Sequence, residues 1–106
     1  MEHQAVVEVH VTCPTAEAAV SLGRAVVEAR LAACATVGGP VRSVYRWDGA
    51  VQDDEEWSLA IKTREDLAAT VAERIRADHP YELPAITVID LRADADTAAW
   101  VAEVTG

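Results

Sequence analysis

An α/β (α+β) sandwich, with elements in the order β-α-β-β-α-β and one further C-terminal helix, is the fold class that this 106-residue sequence predicts. Three observations predict it. Alternating valines open the chain, two separate runs place apolar residues at helical spacing, and an Asp-Gly pair sits between two long β-rich arms. A chain of 106 residues has room for one domain, 1–106, with a modest core that association would supplement.

The first strand is expected over Gln4 to Thr12, where Val7, Val9 and Val11 alternate with Glu8, His10 and Thr12. Pro14 ends it. Thr15 then has the chemistry of an N-cap, Glu17 falls in the first turn, and Ala18, Leu22, Ala25, Val26, Ala29 and Ala33 recur at helical spacing to about Cys34. Gly38, Gly39 and Pro40 are expected to break the chain before a strand over Val41 to Trp47. Asp48-Gly49 is a hairpin turn, and in the returning arm Trp57, Leu59 and Ile61 alternate with Glu56, Ser58, Ala60 and Lys62. Thr63-Arg64-Glu65-Asp66 has the form of a capping box, with Asp66 in the place of Glu. Leu67, Val71 and Ile75 mark the buried stripe of a second helix ending near Asp78. The last strand is expected at Ile86 to Leu91, and a short helix with Trp100 and Val101 over Asp94 to Val104.

Four strands and two crossover helices in this order make a ferredoxin-like sandwich. Helices on one face of such a sheet leave the other, with Val6, Glu8 and His10, to meet something else. Trp47, Trp57 and Trp100 occur in a chain without phenylalanine. With the long hairpin, these features point to an oligomer.

Nine basic residues against eighteen acidic ones, a net charge of −9, leave no electropositive face for nucleic acid. No apolar run approaches the ~20 residues of a membrane span, and no basic, then apolar, leader opens the chain. The expectation is a soluble, cytoplasmic protein with no membrane partner. The two cysteines make no disulfide framework. The first helix separates Cys13 from Cys34 by about 27 Å of rise, at ~1.5 Å per residue, against the ~7 Å that a disulfide spans. There is no nucleophile elbow, P-loop or dinucleotide fingerprint, so a binding protein is expected rather than an enzyme.

Strand directions sort the remaining candidates. The first strand and the second helix deliver Cys13, His79 and Glu82 to the same end of the domain, and thiolate, imidazole and carboxylate suit copper or zinc. Simpler roles stand beside that one. His79 at a helix C-terminus can cap it, Tyr81 can anchor the HPYELP loop, and Cys34 can be a small buried hydrophobe. His10 reads as a polar strand residue at a subunit contact, and His3 sits in the leading tail. The acidic run Asp53 to Glu56 reads as a solvated hairpin arm. Lys62 lies on the pleat opposite Trp57, Leu59 and Ile61, with Arg46 and Glu56 as expected neighbours, and can serve a small anionic ligand.

Several uncommon words, in order, resemble one family. VTCPTAEAA (Val11 to Ala19), RLAACATV (Arg30 to Val37), SVYRWDG (Ser43 to Gly49), the EEW…IKT arm (Glu55 to Thr63) and HPYELP (His79 to Pro84) are similar to the CutA divalent-cation tolerance proteins over nearly the whole chain. The resemblance implies a ferredoxin-like homotrimer, with the hairpin reaching across to neighbouring subunits and a role in tolerance to copper and other divalent cations. It also implies a pocket between subunits, lined by Cys34, Tyr45, Trp47, Glu56, Lys62, His79, Pro80, Tyr81 and Pro84. The family pattern places a glutamate after the second proline, where this chain has Ala85. A second implication, by fold analogy to trimeric nitrogen-signalling proteins, is a small anion bound in a subunit cleft by Lys62 and Arg46.

Overall fold

A computed structural model describes residues 5–106; His3 and Gln4 lie outside them. The elements are β1 (Ala5–Cys13), α1 (Ala16–Glu28), β2 (Cys34–Trp47), β3 (Ala50–Arg64), a 3-10 turn (Glu65–Leu67), α2 (Ala68–Asp78), β4 (Thr87–Arg92) and α3 (Ala95–Val104). The four strands form one sheet in the order β2-β3-β1-β4, with every neighbouring pair antiparallel. This is the ferredoxin-like order that the sequence predicts.

The period-two pattern of β1 sets the two faces. Val9 and Val11, with Leu59 and Ile61 opposite them on β3, face α1 and α2. Leu22 and Val26 of α1 and Val71 and Ile75 of α2 complete that core. The other pleat carries Val6, Glu8 and His10. α3 covers one end of this second face, where Val6 packs with Ala98 and Val101. The rest of it, including Glu8 and His10, is only half-buried.

Three local expectations are corrected. The first helix stops at Glu28 instead of continuing to about Cys34. Arg30 turns left-handed at φ 60°, and the Leu31 and Ala32 amides both bond back to the Val26 carbonyl at 2.9 and 3.2 Å. Alanine favours helix, but here the Ala33 amide is drawn to the Lys62 carbonyl at 2.9 Å, so sheet pairing overrides propensity. Gly38-Gly39-Pro40 does not break the chain either: β2 runs through it, with a register shift between Gly38 and Val41. The capping box does not form. Thr63 donates its hydroxyl to the Leu31 carbonyl at 2.6 Å, and α2 is entered through the 3-10 turn instead.

Thr15 caps α1 as expected, accepting from the Ala18 amide at 3.0 Å, and Asp94 caps α3 by accepting from Thr97 at 2.8 Å. The hairpin closes Trp47 onto Ala50 through Asp48 and Gly49, at φ 52° and 74°. Positive φ at both central residues is the turn that Asp-Gly favours. β2 and β3 continue beyond the end of β1, so the hairpin projects and the molecule measures 47 × 26 × 22 Å.

Gly39 has a second constraint. Its φ is 143°, and a Cβ there would meet the Trp57 ring at 2.8 Å and the Trp57 Cα at 3.1 Å. Gly39→Ala is therefore expected to cost about 1–3 kcal/mol of stability. Chemical denaturation at fixed protein concentration checks this, and an unchanged midpoint would remove the constraint.

Candidate functional site

The segment from His79 to Ile86 joins α2 to β4 across the end of β1. His79 precedes a proline and takes the extended backbone that this position imposes, φ −72° and ψ 139°, so α2 ends there. The His79 side chain is 8% exposed and lies with Nε2 2.9 Å from the Thr12 carbonyl. Its Nδ1 accepts the Tyr81 backbone N–H at 3.0 Å. An amide can only donate and a carbonyl can only accept. The ring is therefore the neutral tautomer with hydrogen on Nε2.

The chain of contacts continues through Tyr81. Its ring lies against His79, with centroids 4.8 Å apart, and its Oη donates to Glu56 Oε2 at 2.6 Å. Glu56 is 4% exposed, which corrects the reading of the whole Asp53 to Glu56 run as solvated. Burial and then the bond to Glu56 hold the Tyr81 phenol well above the ordinary tyrosine range. Cys13, the residue after Thr12, is fully buried, and desolvation followed by the Glu56 charge pushes its thiol from 9.0 to about 11. Tyr45 borders the cluster, donating to Asp54 at 2.5 Å. That bond raises its phenol as well.

The structure thus gathers Cys13, Glu56, His79 and Tyr81 at the end of β1. It leaves Glu82 exposed. The predicted neighbours of Lys62 are corrected: Lys62 lies opposite Cys34, with its Nζ 4.0 Å from Glu8 Oε1. Arg46 pairs with Val51 near the hairpin tip, roughly 36 Å along β3 from Lys62 at ~3.3 Å per residue. The two cations are not assembled within one chain. Cys13 and Cys34 are both free thiols, opposite Trp57 and Lys62, about 17 Å apart along β3 at ~3.3 Å per residue. Trp47 stands at the tip, 50% exposed.

The donor set Cys13, His79 and Glu82 does not fit a metal in this arrangement. Neutral imidazole offers one lone pair, and the Tyr81 amide already uses it. A ligating thiol must be a thiolate, and Cys13 is fully buried beside the Glu56 carboxylate, which makes that thiolate costlier to form. Among the described residues, no three His, Cys, Asp or Glu side chains come together as a metal site. What the cluster does is hold a loop. The Thr12 carbonyl, its anchor, belongs to the backbone and leaves no mark in the sequence. Burial of Glu56 had a fainter signal, its position on β3 beside the end of β1.

Two outcomes follow. Tyr81→Phe removes a bond to a buried carboxylate and is expected to cost about 1.5–3 kcal/mol, read by denaturation. Alkaline pH is also expected to destabilise the fold. The folded state raises the Cys13 pKa, so it holds that proton more tightly than the unfolded chain does. The associated stability is complete below about pH 9 and is lost as pH rises through about 11. Tyr81 shifts the same way and adds to the loss at higher pH. A denaturation midpoint that stays flat from about pH 9 to about 11 would contradict the burial of Cys13.

Residues 7–104 match the sequence profile of the CutA1 divalent ion tolerance protein family. The chain is 38% identical over 88 residues to the chloroplastic protein CutA of Arabidopsis thaliana, covering 83% of this chain and 48% of that protein. It is 36% identical over 97 residues to the divalent-cation tolerance protein CutA of Thermus thermophilus, covering 91% and 94%. The crystal structure of CutA1 from Oryza sativa superposes with a TM-score of 0.92 at 32% identity, covering 98% of this chain and 96% of that one. The chain spans about half the length of the plant and mammalian relatives that it matches. A profile match across almost the whole chain, identities above 30% and a shared fold place this chain in the CutA1 divalent ion tolerance family.

Proposed function

We propose that this chain works as a cytoplasmic homotrimer in tolerance to divalent cations, as a binding protein rather than an enzyme. The observation that carries the trimer is apolar surface on both free sheet edges and the hairpin. Val44 on β2, Val51 on β3, and Val88 and Ile89 on β4 are about half exposed or more, and Trp47 joins them at the tip. Unpaired edge strands with apolar side chains are templates for pairing with another chain, and a second copy is always at hand. The names of the relatives support the divalent-cation role.

Analytical ultracentrifugation is expected to show a trimer, and Trp47→Ala is expected to shift it toward smaller species. An unchanged trimer of unchanged stability would remove the hairpin from the interface. Calorimetric titration of Cu²⁺ is expected to give the same result for wild type and His79→Ala, because the His79 lone pair is used by the Tyr81 amide. Copper binding that is lost in His79→Ala would contradict the occupied lone pair.

A further inference from the structure

A buried guanidinium nitrogen on β3 has no hydrogen-bond partner among the described residues, and it borders a cavity at the opposite end of β1 from His79. From these two observations we infer that the space between the end of β3 and α3 binds a small aliphatic α-amino acid, with Arg64 on its carboxylate and Asp66 on its ammonium.

Strand register places the site. Arg64 pairs with Val6 across the sheet, so the two side chains share the face that α3 covers. Val6, Ala98 and Val101 are at most 3% exposed and form an apolar wall, and Ala102, one turn beyond Ala98, leaves the space beside them open. The cavity holds about 260 Å³, below the ~300–1,000 Å³ of sites for drug-sized ligands. Arg64, Glu65 and Asp66 line its polar side. Arg64 Nε is buried and makes no hydrogen bond, although Asp66 Oδ1 lies 3.4 Å away in an ion pair. A buried donor, above all on a charged group, ordinarily has a partner. One cation beside two carboxylates disfavours a plain anion, and a plain cation would leave the Arg64 donor unused. A zwitterion answers both needs. The guanidinium fork donates two parallel N–H bonds to the carboxylate, the ammonium donates to Asp66, and the aliphatic side chain lies on the wall of Val6, Ala98 and Val101. The site shares no residue with the His79 cluster.

Titration of L-valine into the full chain, followed through the Arg64 Nε–H resonance in ¹H–¹⁵N spectra, tests the site. A saturating shift of that resonance is expected, with a Kd of about a millimolar or tighter. Isobutylamine, which lacks the carboxylate, is expected to bind about tenfold more weakly, the effect of losing one charge-assisted bond. Isovalerate lacks only the amino group that meets the exposed Asp66, and is expected to bind about threefold more weakly. Calorimetry reads the variants. Arg64→Lys keeps the charge but loses the fork, and is expected to weaken valine binding about tenfold. Ala102→Leu fills the cavity from an exposed helix position and is expected to abolish binding with the circular dichroism spectrum unchanged. An Arg64 Nε–H resonance unmoved by valine at about ten times that Kd would overturn the site. Isovalerate or isobutylamine binding as tightly as valine would overturn the zwitterion. Valine affinity unchanged in Arg64→Lys or in Ala102→Leu would put the binding outside this cavity and overturn the assignment.

Discussion

The imidazole of His79, held between the Thr12 carbonyl and the Tyr81 amide, ties the α2–β4 connection to the end of β1. That connection cannot easily hold itself. Pro80 and Pro84 supply no backbone donors, and each restricts the residue before it. A loop that cannot build its own hydrogen-bond ladder needs side chains to satisfy and fix its backbone. His79 meets this need on one side and Tyr81 on the other, through Glu56 of β3. The consequence reaches the electrostatics of the site, since the same packing buries Cys13 beside a carboxylate.

Much of this was legible in the sequence. The valines of β1, the Asp-Gly turn, the stripe of α2 and the cap at Thr15 are local signals with local causes, and each led to the element observed. What failed was decided at longer range. The alanines after Glu28 favour helix, and only the pairing of Ala33 with Lys62 turns them toward the sheet. Thr63 looks like a cap until Leu31 is brought beside it. At the site, strand direction was enough to bring His79 to the end of β1 near Cys13. It could not show that both ring nitrogens are used, because one partner is a main-chain carbonyl. The neighbours expected for Lys62, Arg46 and Glu56, were wrong as well: its ion-pair partner is Glu8 on the neighbouring strand.

The single chain leaves two structural needs open. One is the cover for its edges and for the half-buried pleat around Glu8 and His10, which a self-association of the hairpins and edge strands would supply. The other is reconciling membership of a divalent ion tolerance family with a histidine whose lone pair is taken. Ala85, exposed at the foot of the loop, adds no carboxylate there.

The most direct test is the tautomer of His79 itself. Side-chain ¹⁵N correlation spectra of the metal-free protein, at a pH where the ring is neutral, distinguish the two ring nitrogens. A single form with hydrogen on Nε2 and Nδ1 as an acceptor is expected. A ring with hydrogen on Nδ1, or one averaging between the two forms, would contradict it, because the Tyr81 amide would then have no fixed partner and the loop no anchor.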